Sequence, residues 1–306
     1  MAERQVVGKV RVPDGKKVAV GLGVDFDALS LWDGSFHLTS PAYLSRGEYG
    51  AEVGAERLLN LFAKHGVKTT WCIPGHTIDT FTDTCREVKA AGHEIAHHSY
   101  AHENPTLVDR EREKAVLQKG LESLASIDVK PRGYRSPAWD FSPNTLSLLE
   151  EFGFDWDSSL MANDIHPYRP RTWSFTETIQ HGPHQVAWGK SVPSQPSRLI
   201  EIPVSWYLDD FPAAEFVWGI SEAMTWTGQI EDRWRDFFDY AAEQNDGGIY
   251  TLTIHPQVIA RPHMFKLLER VIEHAKPDGA FMTLSEIVDA TEFPQTTEAR
   301  EAVRAR

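Results

Sequence analysis

The chain has 306 residues, with 31 lysines and arginines against 44 aspartates and glutamates, and a formal net charge of −13. Hydrophobic residues make up 41% of the chain, which is enough to build a core and excludes global disorder. The acidic balance argues against binding to nucleic acid or to anionic membranes, because both need basic surfaces.

Apolar segments of strand length alternate along the chain with amphipathic segments of helix length. The predicted strands cover residues 18–24, 68–73, 93–96, 133–134, 154–156, 199–204, 249–254 and 280–282. The predicted helices cover residues 52–64, 77–91, 111–127, 143–152 (with Ser142 at the N-cap), 231–244, 262–275 and 284–290. This alternation is typical of βαβ units and predicts an α/β fold with a parallel sheet or barrel.

We expect a single catalytic domain over residues 1–292 and a polar tail over residues 293–306. Residues 161–198, rich in Pro, Trp, His and Gln, predict a long excursion over one face. The amino-terminal residues lack the apolar stretch of a signal peptide, and no segment has the length and apolarity of a membrane span. Cys72 and Cys85 are too few for a disulfide framework, so we expect two buried thiols in a cytoplasmic protein.

Several polar residues follow directly on predicted strands. These residues are Asp25, Asp27, His98, Arg135 and His255. In a parallel barrel the carboxyl ends of all strands form one rim, and active sites assemble there. We therefore expect these five side chains to lie in one site.

His98 and His102 are four residues apart, so on a helical turn both imidazoles would reach one metal ion. Asp25 and Asp27 point to the same side of their strand. One of them would complete a ligand set of two histidines and a carboxylate, while the other activates water. The alternatives are a pair of surface histidines and two aspartates that cap a loop. We expect His93 and His97 to lie beside the ligands or to face solvent.

These motifs occur in the order known from one enzyme family. Asp25-Phe-Asp27, His98 to His102, Arg135-Ser-Pro-Ala-Trp139 and the strand that ends at His255-Pro256 resemble the motifs of the polysaccharide deacetylases, carbohydrate esterase family 4, over about residues 20–290. The resemblance implies a distorted (β/α) barrel. Residues 202–210 and 255–263 are most similar to an unexported subgroup of cyclic imidases, metal-free allantoinases and a peptidoglycan deacetylase, which often form homotetramers.

The resemblance also implies a role for each matching residue. Asp25 would be the general base, Asp27, His98 and His102 the metal ligands, His255 the general acid, Arg135 the residue that orients the base, and Trp139, Tyr134 and Trp206 the contacts to the substrate. Trp139 is equally compatible with a core aromatic. The aspartate that supports His255 is either Asp209 or Asp210. One departure from the family is the first motif, which is Asp-Phe-Asp-Ala instead of the commoner Asp-Asp-Gly.

We therefore predict a metal-dependent hydrolase of amide or imide C–N bonds that acts on a small cyclic imide or amide in the cytoplasm. The resemblance favours zinc, with cobalt, iron and manganese as alternatives. An N-deacetylase of a glycan such as peptidoglycan is the alternative function. A metal-free allantoinase-like enzyme and a non-catalytic binding protein are two further hypotheses.

Overall fold

The structure, a computed structural model, describes residues 4–294. At its centre is a sheet of eight parallel strands. They are β1 (Val18–Asp25), β2 (Thr70–Ile73), β3 (Glu94–His97), β4 (Gly133–Tyr134), β5 (Trp156–Asp157), β6 (Ile200–Glu201), β7 (Ile249–Ile254) and β8 (Gly279–Phe281). All eight lie where the sequence predicts a strand, with ends shifted by a few residues.

The sheet order is β6-β5-β4-β3-β2-β1-β7, and β8 also pairs with β1. Strand β7 pairs with β1 over six residues, while β8 and β2 pair with the first and second parts of β1. In the described part of the chain no strand ladder joins β6 to β7. That gap is spanned by a bridge between Asp209 and Thr253 and by the Thr251 hydroxyl, which donates to the Pro203 carbonyl at 2.7 Å. The predicted barrel-type α/β fold is confirmed as a curled half-barrel.

Helices connect the strands and cover the sheet. They are α1 (Pro41–Tyr49), α2 (Ala55–His65), α3 (Gly75–Thr80), α4 (Thr82–Ala90), α5 (Arg110–Ser126), α6 (Thr145–Phe152), α7 (Asp210–Ala214), α8 (Thr227–Gln244), α9 (Pro256–Ile259), α10 (Pro262–Ala275) and α11 (Leu284–Asp289). Two π-helical segments, Leu31–Ser35 and Gly50–Gly54, and three 3₁₀ turns, Pro105–Leu107, Pro137–Trp139 and Trp206–Leu208, complete the helical structure.

Several helix boundaries differ from the prediction; α8, for example, begins at Thr227, four residues before its predicted start. The predicted helix 52–64 is the end of a longer helical stretch, because the π segment Gly50–Gly54 joins α1 to α2. The predicted helix 77–91 is divided at Phe81, which has φ −121° and ψ 50°. Helix α6 begins at Thr145, two residues later than predicted, with Asn144 at its N-cap. Ser142 nevertheless makes a capping type of contact, since its hydroxyl oxygen accepts the Asn144 N–H (2.9 Å), and it also donates to Glu113 (2.6 Å).

The excursion over residues 161–198 contains exposed antiparallel ribbons. The two-stranded pairs outside the main sheet are Lys9–Val10 with Thr291–Glu292, Trp173–Phe175 with Ser191–Pro193, Thr178–His181 with His184–Ala187, and Phe216–Val217 with Ser221–Glu222. The single-domain prediction stays a prediction, and most of the predicted tail, residues 295–306, lies outside the described residues.

The two faces of the sheet pack differently. The outward residues of β1, Val18, Val20, Leu22 and Val24, join a large cluster with the helices. The inward face carries small residues, and α11 packs against it at the end of the barrel opposite to the carboxyl ends of the strands. The packing is close, because a Cβ at Gly21 would lie only 2.8 Å from Leu284 Cδ2. Because this end is filled, the rim at the carboxyl ends is left to form a pocket.

The cysteine prediction is confirmed, since Cys72 and Cys85 are buried and free. None of the helices within residues 4–294 combines the length and apolarity needed to cross a membrane.

Candidate active site

The five polar residues predicted at strand ends lie together at the carboxyl edge of the sheet. Asp25 and Asp27 come from the end of β1, His98 follows β3, Arg135 follows β4, and His255 follows β7. All five side chains are buried. Since parallel strands end at one edge, residues far apart in the sequence share one site.

Asp27, His98 and His102 form a cluster of potential metal ligands. Asp27 Oδ1 lies 3.4 Å from His98 Nε2, and Asp27 Oδ2 lies 3.8 Å from His102 Nε2. Among the described residues, neither Asp27 oxygen nor His98 Nε2 has a hydrogen-bond partner. Buried polar atoms are costly when unpaired. Three such atoms around one point, on a carboxylate and an imidazole, fit a divalent cation.

The outer nitrogen of each imidazole is fixed by a hydrogen bond. His98 Nδ1 donates to the Arg135 carbonyl at 2.7 Å. His102 Nδ1 lies 2.6 Å from Ser35 Oγ, and the Ser35 hydroxyl donates to the His102 carbonyl at 2.9 Å. Since the serine proton is used there, His102 Nδ1 is the donor to Ser35. In its neutral form each ring therefore directs an unprotonated Nε2 toward Asp27, as metal ligation requires.

The charges in this cluster also suit a cation. Burial alone would raise the pKa of Asp27, but His102, His98 and His255 hold it well below its usual range. Burial lowers the pKa of His102 to about 4, so this ring is neutral at neutral pH. Burial opposes a charge on His98, yet the neighbouring aspartates raise its pKa, so a proton would compete with a cation for Nε2.

His98 and His102 lie on a loop, so the predicted helical turn is wrong. Ser99 and His102 have left-handed backbone conformations, with φ of 64° and 63°. Glu103 holds the loop, since its Oε2 accepts hydrogen bonds from the Ser99 hydroxyl and the Ala101 N–H, both at 2.8 Å. The two imidazoles are thus brought together by a loop that Glu103 holds, and not by a helical turn.

Arg135 is fully buried and holds Asp25 in place. Arg135 Nη1 donates to Asp25 Oδ1 at 2.7 Å, and the other guanidinium nitrogens donate to the Ser158 carbonyl (2.9 Å) and hydroxyl (2.8 Å). The guanidinium lies directly against the backbone of Gly23, where a Cβ would come within 2.5 Å of Nη1. Arg135, which Ser158 holds at two of its nitrogens, therefore orients Asp25 toward the pocket.

His255 is supported by Asp210. Its Nδ1 lies 2.7 Å from Asp210 Oδ1 and 3.6 Å from Asp209 Oδ1, and its backbone N–H donates to Asp210 as well. Of the two candidates, Asp210 makes the hydrogen bond. Burial disfavours a charge on His255, but Asp209 and Asp210 raise its pKa well above the usual value. Burial raises the pKa of Asp209 itself to about 8.

Asp25, His98, His102 and His255 line a pocket of about 240 Å³. Its lining residues are Asp25, Leu31, Ser35, Phe36, His98, His102, Ala138, Trp139, Trp206, Asp209, Phe211 and His255. The ring centroids of Trp139 and Trp206 are 4.3 Å apart. Trp139 is buried and Trp206 is 44% exposed, so the two rings form one wall that ends at the pocket mouth.

Tyr134, the third predicted substrate contact, does not line this pocket. Tyr134 is the last residue of β4 and Arg135 comes directly after it, so the two side chains point to opposite faces of the sheet. There it packs against His97 and Phe154, with ring centroids 5.5 and 6.0 Å away. The structure places Tyr134 in the hydrophobic core between the sheet and its helices.

His93 and His97 are core residues, and the expectation that they face solvent or accompany the ligands is not met. His93 Nδ1 accepts the Thr69 N–H at 3.2 Å. His97 Nε2 donates to the Leu117 carbonyl at 3.0 Å, and its Nδ1 accepts the Ser99 N–H at 3.1 Å. His93 Nδ1 also lies 3.0 Å from the Thr69 hydroxyl. Both rings lie on the outer face of the sheet, which strand alternation turns away from the pocket.

Sequence reasoning missed two serines that hold site residues. Ser35 contacts His102, and Ser158 contacts Arg135. Ser158 follows β5 and could have been found by extending the strand-end rule to this strand. Ser35 lies on a π-helical segment, and no local pattern connects it with residue 102.

Known proteins share both the sequence and the fold of this chain. The polysaccharide deacetylase family model matches residues 48–156. A peptidoglycan deacetylase of Helicobacter pylori is 38% identical over 281 residues, which cover 90% of this chain and 96% of that protein. A Mycobacterium smegmatis structure assigned to the polysaccharide deacetylases is 32% identical over 94% of both chains, with a TM-score of 0.78. An allantoinase structure, 20% identical with a TM-score of 0.71 over 91% of both chains, shares the fold.

Proposed function

Because the chain belongs to the polysaccharide deacetylase family, whose members hydrolyse carbon–nitrogen bonds other than peptide bonds, we propose that it is a metal-dependent hydrolase of a small amide or imide. The observation that carries this proposal is the cluster of Asp27, His98 and His102, with three buried ligand atoms that lack hydrogen-bond partners among the described residues. Asp25 and His255 flank this cluster in the same pocket.

Asp27, His98 and His102 would hold the metal ion. A divalent ion bound there supplies Lewis-acid polarisation of a carbonyl and lowers the pKa of bound water, toward about 7 for zinc. Two nitrogens and one oxygen are a ligand set common for catalytic zinc, so zinc is our first choice, with cobalt, iron and manganese as alternatives.

Asp25 is the proposed general base. Its Oδ1 is held by the Arg135 guanidinium at 2.7 Å, which leaves Oδ2 to take the proton of an attacking water molecule. Arg135 and Asp25 form an ion pair in which both side chains are almost completely buried, so the carboxylate is held in one orientation. Because Arg135 is also bound to Ser158, the carboxylate is directed before substrate arrives.

His255 is the proposed general acid. Its Nδ1 donates to Asp210 at 2.7 Å, and its Nε2 lies 3.7 Å from Asp27 Oδ2, so Nε2 faces the reacting centre. The raised pKa of His255, caused by Asp209 and Asp210 against the effect of burial, keeps a proton on the ring. Without a proton an amide nitrogen is a very poor leaving group, and a positioned acid is worth about 10²–10⁴ in rate.

The pocket favours a small planar substrate. Its volume of about 240 Å³ and its walls of Trp139, Trp206, Phe36 and Phe211 suit a single ring that stacks on aromatic side chains. A cyclic imide or amide presents such a ring and places its carbonyl and nitrogen within reach of the polar base. We therefore propose a substrate of this class.

N-deacetylation of an N-acetylated glycan is the second candidate. It is favoured by the 38% identical relative, which is a peptidoglycan deacetylase. The same base and acid would cleave an acetamido group, because the bond broken is again an amide C–N bond. The metal-free hypothesis agrees less with the unpaired ligand atoms, and a binding protein would have no use for a supported acid and base.

The test combines metal analysis with turnover on a substrate panel. The panel contains succinimide-type rings, hydantoin, allantoin and N-acetylglucosamine oligomers. We expect about one metal ion per chain and turnover on at least one small ring. Activity on the oligomers alone would favour deacetylation as the function.

Asp27→Asn should lose both metal and turnover, whereas Asp83→Asn, at a 95% exposed side chain, should lose neither. Full turnover of Asp27→Asn would refute the ligand assignment.

A further inference from the structure

Two buried carboxyl groups lie behind Arg135 and belong to neither the pocket nor the ligand cluster. Asp157 on β5 and Glu201 on β6 are register partners in the parallel sheet. Both side chains are completely buried. Two acids at adjacent positions inside a protein need a specific explanation, because the charged form of each is costly there.

Half of each carboxyl group is occupied by ordinary donors. Glu201 Oε1 accepts the N–H groups of Ser159 (2.9 Å) and Leu160 (2.8 Å). Asp157 Oδ1 accepts the Ser159 hydroxyl at 2.8 Å. The other two oxygens, Asp157 Oδ2 and Glu201 Oε2, find no donor within residues 4–294. A proton on either carboxyl group would make these two oxygens a donor and an acceptor for each other.

The surroundings favour one proton on the pair. Burial raises the pKa of Asp157 to about 6, and burial together with Asp157 raises the pKa of Glu201 well above its usual range. The charged or titratable groups that face the pair are the Arg135 guanidinium and the phenols of Tyr168 and Tyr134. A single proton between Oδ2 and Oε2 would satisfy both orphaned oxygens and leave one negative charge near Arg135.

The pair is hydrogen-bonded to the segment that holds Arg135. Ser158 lies between Asp157 and Ser159, and it binds Arg135 through both its carbonyl and its hydroxyl. Ser159 is fixed by Asp157 and Glu201, and its hydroxyl oxygen accepts the N–H of Ser136, the residue after Arg135. Both ends of the Arg135–Ser158 contact are therefore anchored to the carboxyl pair.

We propose that Asp157 and Glu201 share one proton and act as positioning residues that hold Ser158, and through it Arg135, against Asp25. The catalytic part of this inference rests on the proposed function, in which Asp25 is the general base. The shared proton is a property of the folded chain and is tested without substrate.

Amide variants test the shared proton. In Glu201→Gln or Asp157→Asn, the new amide N–H replaces the proton and the amide oxygen keeps the existing donors, so each single variant should stay close to the wild type in Tm. In the double variant two NH₂ groups would face each other, so its loss in Tm should exceed the sum of the two single losses. The infrared difference spectrum between the wild type and each single variant should show the loss of one deuterium-sensitive band of a protonated carboxyl, because the band of any other protonated carboxyl, such as Asp209, cancels. Additive Tm values together with a persisting band would overturn the shared proton.

Truncation tests the positioning role. Glu201→Ala removes the acceptor for two backbone N–H groups, and we expect kcat to fall by about 10- to 100-fold with little change in KM, because the pocket walls are not touched. Glu201→Gln should restore most of kcat.

The matched control is Glu113→Ala. Glu113 is also buried and binds two side chains, Ser142 and Thr145, but has no contact with Arg135 or Ser158. This variant should lose Tm and keep kcat. Equal losses of kcat in Glu113→Ala and Glu201→Ala would refute positioning. Inactivity of the wild type on the whole substrate panel would instead refute the proposed function, while the infrared and Tm results would still decide the shared proton.

Discussion

At the scale of single residues, the site depends on side chains that contact the proposed metal ligands but are not ligands themselves. The Ser35 hydroxyl is the clearest example, because it is both the acceptor for His102 Nδ1 and a donor to the His102 carbonyl. It therefore fixes the tautomer and the angle of the ring at once. Partners of this kind usually matter nearly as much as the ligands.

Ser35→Ala should weaken metal binding by about 10- to 100-fold, because His102 loses the partner that orients its ring. Titration of the metal-free protein with zinc measures this directly and needs no substrate. The control is Ser45→Ala, an exposed serine whose hydroxyl donates only to the Ala42 carbonyl. Equal affinity in the wild type and Ser35→Ala would show that Ser35 has no part in ligand orientation.

His97 should make folding stability depend on pH. Burial lowers its pKa to about 4, against 6.5 for an ordinary histidine, so between these values the unfolded chain binds a proton that the folded chain does not. Stability is therefore complete above pH about 6.5 and falls as the pH drops toward 4, by up to about 1.4 kcal/mol per pH unit for this one group.

Urea unfolding of the wild type and His97→Gln at pH 7, 6 and 5 measures this contribution. The slope of unfolding free energy against pH should be smaller in the variant. His93, whose pKa burial also lowers to about 4, contributes to the slope that remains. Identical slopes would contradict the assignment.

At the scale of elements, the first strand shows how backbone space serves the site. Gly21 and Gly23 lie on the same inward face of β1, two residues apart. A Cβ at Gly21 would meet the tip of the Leu284 side chain at 2.8 Å, whereas a Cβ at Gly23 would meet the Arg135 guanidinium at 2.5 Å. Because Gly21 has no side chain, α11 can pack against the strand, and because Gly23 has none, the Arg135 guanidinium can reach Asp25.

Gly23→Ala should reduce kcat by about 10- to 100-fold, because the methyl group displaces Arg135 from Asp25. Gly21→Ala is the matched variant on the same strand face, and it should destabilise the fold by about 1–3 kcal/mol through overpacking while it keeps kcat. Turnover and urea unfolding of both variants separate the two effects. A Gly23→Ala enzyme with wild-type kcat would show that the Arg135 contact is dispensable.

The histidine loop shows the limit of sequence spacing as evidence. The interval of four residues predicts a helical turn, yet two left-handed residues and the Glu103 carboxylate shape the segment from His98 to His102. The functional consequence, two imidazoles near one carboxylate, is the same. Spacing thus indicated which residues meet, but not the backbone that brings them together.

At the scale of the whole molecule, several large aromatic side chains lie exposed on the surface. Trp173 and Trp188 on the ribbons and Trp218 and Trp226 near α8 are 51–80% exposed. Large exposed apolar groups are typical of protein interfaces. The homotetramer implied by the family resemblance remains a prediction, as does the cytoplasmic location.

Sedimentation of the purified protein tests the assembly. A tetramer would give about four times the mass of one chain at micromolar concentration, with aromatic surface buried between subunits. A monomer throughout this range would contradict the prediction. Cell fractionation tests the location separately.

The sequence by itself determined the fold class, the positions of the strands along the chain and the polar residues at their carboxyl ends. These follow from hydrophobic periodicity and from residues next to each other in the chain, which are local properties. Asp25, Asp27, His98, Arg135 and His255 were found in this way.

Only the tertiary structure decided which of the remaining residues reach the site. It distinguished Asp210 from Asp209, placed Trp206 in the pocket and Tyr134 in the core, and joined Ser35 to His102. These contacts join segments far apart in the chain, so they depend on how the whole sheet curls and on which face each side chain takes. A shift of one residue along a strand moves a side chain from one face of the sheet to the other, and the sequence alone does not show which face each side chain takes.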